Sequence, residues 1–139
     1  YKHVADVVTV FEPLPMVIGH PGELNQVLLN IVVNAAHAIG DVVGATGDRG
    51  QITIRTTHHG GVVTIAITDT GGGIPDRARD RIFEPFFTTK EVGRGTGQGL
   101  AMSRSIVDRH GGSLTFESEP GRTTFSIQIP IGVQLANVA

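Results

Sequence analysis

Three stretches of this chain carry residue types that could do chemistry together. Asp69-Thr70-Gly71-Gly72-Gly73-Ile74-Pro75 follows directly on the alternating run VVTIAIT at 62–68. A carboxylate fixed at the end of such a strand can accept a hydrogen bond from an exocyclic amine, and glycines beside it let a flat ring approach the backbone. That suits an adenine base, although Asp and Gly together also make ordinary turns. Gly93-Arg94-Gly95-Thr96-Gly97-Gln98-Gly99-Leu100 leads straight into a helical pattern. Glycines there expose backbone N–H groups, and the helix dipole adds partial positive charge, which suits a polyphosphate. Lys90 and Arg94 stand where cations could meet phosphate oxygens, or they are solvated loop charges. The glycine run is not a Walker loop, because Gly-Lys-Ser/Thr is missing. Nor is it a dinucleotide fingerprint, which would follow a strand in a parallel βαβ unit that this order of elements does not offer.

The third stretch is Pro21 to Gly40, PGELNQVLLNIVVNAAHAIG. At 100° per residue, Glu23, Gln26, Asn30, Asn34 and His37 fall within roughly one 80° arc, while apolar side chains cover most of the rest. A helix so apolar must be buried, and its polar stripe must face hydrogen-bonding partners or a wet cavity. Two readings stand at this point: the floor of a polar ligand pocket, or a satisfied core network.

The elements that position these residues can be read in order. Val4–Phe11 and a short run at 16–19 have strand composition, and the helix starts at Pro21 and stops at Gly40. Runs 51–57 and 62–68 form a hairpin through the turn His58-His59-Gly60-Gly61, with Ile52, Ile54, Val63, Ile65 and Ile67 on its core face. The two histidines read as an exposed turn rather than a metal site. A second hairpin, 113–118 and 123–129, turns through Glu119–Arg122, with Leu114, Phe116, Phe125, Ile127 and Ile129 inward. Between the hairpins lie a short helical stretch near 76–82, a Phe-rich turn and an amphipathic helix from about 97 to 110. Of six phenylalanines, three fall at 83–87. The pattern predicts an α+β two-layer sandwich: a mixed, mostly antiparallel sheet of about five strands with about three helices on one face.

Composition narrows the classes. At 139 residues the chain makes one domain with a real core. Eleven basic against thirteen acidic residues leave a net charge of −2, so there is no large electrostatic footprint for nucleic acid or an anionic membrane. The absence of cysteine excludes disulfides and thiolate metal sites. The longest apolar run is broken by Asn30 and Asn34, short of a membrane span, and no signal peptide opens the chain. A start at Tyr1 rather than Met is what an excised piece of something longer is expected to show.

Taken together, the segments are far more specific than any one of them. In their order and wording the chain resembles the catalytic ATP-binding domain of sensor histidine kinases, within the GHKL (Bergerat-fold) ATPase superfamily. The resemblance covers about residues 4–130, leaving 131–139 as a tail. Its motifs are LNQVLLNIVVNAAHAI (N box), DTGGGIP (G1 box), RIFEPFFTTK (F box) and GRGTGQGLAMSRSIVDRHGG (G2 box and helix), and GRTTF at 121–125 is similar to the closing Gly-x-x-Thr-Phe element.

The resemblance implies roles. Asn34 matches the asparagine that coordinates Mg²⁺ on the ATP phosphates, and Asn30 lies beside it. Asp69 matches the aspartate that reads the adenine amine, with Gly71 and Gly73 shaping the pocket. Residues 88–96 match a mobile lid, with Lys90, Arg94 and Thr96 as contacts, and Gly95, Gly97 and Gly99 match the glycines near the phosphates. Ile74, Leu100 and Thr123 complete the ATP set. His37 stands where many members have Asp or Lys, so its role toward phosphate or solvent is open. No histidine here has an acceptor-helix setting. The resemblance therefore implies an upstream dimerisation and histidine-phosphotransfer domain, a response regulator as indirect partner, a cytoplasmic domain without direct membrane contact, and no general base. Members of the gyrase, MutL and chaperone branch carry a glutamate base where this chain has Asn30, and an asparagine cannot take a proton from water. A nucleotide-binding module without turnover is the non-enzymatic alternative.

Overall fold

The computed structural model describes residues 5–11, 21–43, 50–84 and 99–130. The elements run β1 (Ala5–Phe11), α1 (Pro21–Val43), β2 (Gly50–His59), β3 (Val62–Asp69), a 3₁₀ turn (Asp76–Ala78), α2 (Gly99–Arg109), β4 (Ser113–Glu119) and β5 (Arg122–Pro130). They build one five-stranded sheet in the order β1-β2-β3-β5-β4. β1 pairs parallel with β2, and every other pairing is antiparallel. The two-layer α+β expectation therefore holds; among the described residues there are two α-helices and the 3₁₀ turn, against about three helices expected. The parallel pair makes β1-α1-β2 a βαβ unit, which the order of elements was read as not offering. The glycine run before α2 lies outside that unit, so the dinucleotide reading stays excluded.

Strand alternation decides which face is covered. Ile52, Val63, Ile67, Leu114, Phe125, Ile127 and Ile129 are buried, and Ile54, Ile65 and Phe116 pack beside them. On the opposite face Thr53 pairs with Thr68, and Thr68 Oγ1 lies 2.8 Å from Thr124 Oγ1. Apolar side chains thus line the side that the helices cover, as a half-covered sheet requires. Gly60 and Gly61 take φ of +59° and +79°, the handedness that a two-residue hairpin turn needs at both central positions. The turn is therefore shorter than predicted: His58 and His59 belong to β2, exposed and opposite Val63 and Val62.

α1 has the length and composition of a membrane-spanning helix, more than its sequence reading allowed, yet it is a core helix. Val27, Ile31, Ala35, Ala36 and Ile39 are at most 3% exposed, against the sheet and α2. It also runs three residues past Gly40, because Ile39 is fully buried and Val43 packs on the core, and that packing outweighs the weak helix propensity of one glycine. Nothing lies within 4 Å of where a Gly40 Cβ would sit. Gly40→Ala is therefore expected to stabilise the domain by about 0.5–1 kcal/mol. The check is a higher denaturant midpoint at unchanged m value; a lower midpoint would mean that Gly40 ends the helix after all.

Candidate functional site

The polar stripe of α1 is divided along its length. At its start Glu23 Oε2 meets Arg109 Nη2 at 3.2 Å. Further on, Gln26 Nε2 donates to Asn30 Oδ1 at 2.8 Å, and Asn30 Nδ2 donates to Ser103 Oγ at 3.2 Å and to Gly99 O at 3.4 Å. The start of α1 thus meets the end of α2, and its middle meets the start of α2, so the helices run antiparallel. For the first half of the stripe the hydrogen-bonded reading holds: Glu23, Gln26 and Asn30 are spent on bonds within α1 and across to α2. Asn34 lies one turn beyond Asn30, about 6 Å further along the axis, past the level of Gly99. That puts it near the N-terminal end of α2, where the helix dipole favours anions. His37 follows a turn later, half-buried.

The other end of the site is built on the end of β3. Asp69 is 3% exposed, and its Oδ1 accepts from the Gly71 N–H at 2.9 Å. Burial pushes its carboxyl up from 3.8 to about 6, and the Gly71 bond opposes the rise. Gly71 is pressed on α1: a Cβ there would lie 2.8–2.9 Å from the Ala38 carbonyl carbon, oxygen and Cβ. Gly73 takes φ +86°, and its missing Cβ would stand 2.6 Å from Glu119 O. α1 therefore spaces the two ends. Ala38, under the carboxylate loop, is eight residues beyond Asn30, on the order of 12 Å along the axis.

The predicted residues within the described segments can now be placed. Asp69, Gly71, Gly73 and Ile74 lie on the β3 loop, Thr123 faces Asp69 across the sheet and is 4% exposed, and Asn30, Asn34 and His37 follow one another on α1. Gly99 opens α2, and Leu100 packs on the core beside it. Lys90, Arg94, Gly95, Thr96 and Gly97, the lid at 88–96 and the short strand expected at 16–19 lie outside the described residues. Sequence reasoning missed Ser103, Ser118 and Arg79. Ser118 Oγ accepts from the Ile74 N–H at 2.8 Å and lies 2.7 Å from Thr123 Oγ1, while Arg79 Nη1 donates to Ser118 O at 2.9 Å. The signal was available: alternation along LTFES puts Ser118 on the face of Leu114 and Phe116, a polar residue on a core face. A surface cavity of about 380 Å³ beside Arg79, Phe116 and Arg122 is lined by none of the predicted site residues. Its Arg79 is already engaged with Ser118 and with the Phe116 ring, 5.4 Å away.

Residues 19–133 match the family model described as histidine kinase-, DNA gyrase B- and HSP90-like ATPase. The chain belongs to this ATPase family. Within it, the catalytic domain of the histidine kinase ThkA superposes with a TM-score of 0.75 at 32% identity, covering 93% of this chain and 80% of that one. The mycobacterial sensor histidine kinase MprB gives 0.75 at 30%, covering 91% and 81%. In sequence, the sensory histidine kinase/phosphatase NtrB of Proteus hauseri is 40% identical over 122 residues, and the sensor histidine kinase ZraS of Escherichia coli K12 is 39% identical over 126. Those alignments cover 85% and 90% of this chain but 34% and 25% of the two relatives. The ATPase-family site thus rests on a fold shared over most of this chain, which spans a quarter to a third of these relatives.

Proposed function

We propose that this chain is the ATP-binding catalytic domain of a two-component sensor histidine kinase, binding Mg-ATP and presenting its γ-phosphoryl group to a histidine on a separate dimerisation domain. The observation that carries this is the buried Asp69 carboxylate, with one oxygen held by Gly71 and, among the described residues, the other left to accept from an adenine amine, on a loop packed over Ala38, one turn of α1 beyond Asn34. The nucleobase would lie at Asp69, Gly71 and Thr123, and the phosphates at the N-terminal end of α2. There Asn34 would offer its carboxamide oxygen to Mg²⁺. Among the described residues no group of three His, Cys, Asp or Glu side chains could hold a metal, so the ion would arrive with the phosphates. Mg²⁺ suits such a site, because it takes oxygen ligands, keeps waters and needs only one or two protein groups. When bound it would neutralise charge on the phosphate oxygens.

Phosphoryl transfer needs mainly positioning and charge stabilisation, so the absence of a general base in the predicted set fits a kinase. Asn30 supports this over the hydrolase alternative, since its amide is engaged with Gly99 and Ser103 and has no basic site. The accepting domain, a response regulator beyond it and a cytoplasmic location, where ATP is, complete the proposal. Its test supplies the chain with labelled ATP and an acceptor helical hairpin from the parent protein. Phosphohistidine is the expected product; ATP binding without it would leave a nucleotide-binding module, and phosphate release without it a hydrolase. For Asn34→Asp we expect the Mg²⁺ concentration for half-maximal ATP binding to move by about tenfold, equivalent to 1.4 kcal/mol. Adenosine, which lacks phosphates, should bind unchanged, and an unaltered Mg²⁺ dependence would remove Asn34 from the metal role.

A further inference from the structure

Thr123 and Asp69 face each other across β3 and β5, both buried, and one residue outside the predicted set controls what Thr123 can do. A hydroxyl has one proton and two acceptor sites. Ser118 Oγ accepts from the Ile74 N–H, so one acceptor site is filled. Among the described residues, the acceptor within reach of its proton is Thr123 Oγ1, at 2.7 Å. With that proton given to Thr123, the Thr123 O–H is left to donate into the site. In the reverse arrangement Thr123 would give its own proton to Ser118 and present only lone pairs beside the buried Asp69 carboxylate, acceptor against acceptor. Ser118 is itself held from the other side, its carbonyl accepting from Arg79 at 2.9 Å.

We infer that Ser118 is a positioning residue for base selection, fixing Thr123 as a donor beside the acceptor Asp69. A fixed donor next to a carboxylate matches a ring nitrogen acceptor next to an exocyclic amine, which is the edge of adenine. Guanine presents the opposite pair at those positions, a carbonyl oxygen and a ring N–H. This rests on the nucleotide reading above and deepens it: the serine sets the preference for adenine without touching the base.

The test measures ATP and GTP affinity by calorimetry for the wild-type chain, Ser118→Ala, Ser118→Thr, Thr123→Val and the Ser118→Ala/Thr123→Val pair, with thermal unfolding of each without nucleotide. Loss of a net hydrogen bond predicts about a 3–10-fold weaker ATP complex for Ser118→Ala. GTP should weaken less, because the freed Thr123 hydroxyl can then accept, so the ATP-to-GTP preference narrows. Ser118→Thr keeps the hydroxyl and should restore the preference, and in the Thr123→Val background Ser118→Ala should leave it unchanged. Equal loss for ATP and GTP, or a preference that still narrows without the Thr123 hydroxyl, would overturn the inference. Should the threonine variant unfold early, the Thr123→Val pair decides. A wild-type chain that binds neither nucleotide, or an Asp69→Asn variant that binds ATP as well as wild type, would instead overturn the nucleotide reading itself.

Discussion

Replacing Asp69 by asparagine is expected to abolish nucleotide binding while making the empty domain more stable. Burial raises the folded-state carboxyl from 3.8 to about 6, so the folded chain holds that proton more tightly than the unfolded chain does. Its stabilising contribution is therefore complete below pH 3.8 and lost as pH rises through about 6. At pH 7 the buried charge costs on the order of 3 kcal/mol relative to the protonated form, at 1.36 kcal/mol per pH unit. Asparagine is neutral throughout, and its carbonyl oxygen can keep the Gly71 N–H bond, so most of that cost should vanish. The same change turns an acceptor into an NH₂ donor facing the adenine amine. A lost charged hydrogen bond and a buried donor without an acceptor together predict at least about a 100-fold loss of affinity. Calorimetry with an adenine nucleotide and denaturant melts from pH 4 to 8 check both halves. Wild-type stability should fall through pH 6 more steeply than the variant's. Unchanged affinity would remove Asp69 from base recognition, and a less stable variant would show that the carboxylate is not a strained group.

Gly71→Ala should damage the fold and the site together. The added Cβ would fall 2.8–2.9 Å from the carbonyl carbon, oxygen and Cβ of Ala38, closer than real Cβ contacts allow. Two of those atoms are helix backbone, so relief requires the loop to move away from α1 rather than a side chain to rotate. Overpacking of this kind costs about 1–3 kcal/mol. The loop also carries the N–H that holds Asp69, so nucleotide affinity should drop by about tenfold or more even where the variant remains folded. Gly72→Ala is the matched control: its Cβ would meet Val42 Cγ2 at 3.3 Å, the end of an exposed side chain that can shift. If Gly71→Ala melts and binds like Gly72→Ala, the close approach to α1 has no consequence for the site.

Local pattern made much of this legible. Alternation along 51–57, 62–68, 113–118 and 123–129, with glycines between the first pair and Pro-Gly between the second, specified two hairpins and their inner faces, because side chains on a strand repeat every two residues. Boundaries were less secure. The twin histidines read as turn because they adjoin two glycines, yet ladder pairing with Val62 and Val63 extends the strand through them. Gly40 read as a stop because glycine commonly ends helices, yet the buried Ile39 before it and Val43 packed on the core after it carried the helix onward.

By itself the sequence determined the fold class, the family and the elements that carry Asp69, Gly71 and Asn34, the end of β3 with its loop and the polar face of α1, because those rest on motifs and periods contained within a few turns of chain. The tertiary structure alone decided how the polar stripe on α1 is shared, and that Ser118 stands behind Thr123. Asn30 finds its partners 69 and 73 residues away, and Ser118 bonds a backbone N–H 44 residues before it. A hydrogen bond depends on distance and angle in space, and no local period encodes which remote donor will arrive within 3 Å.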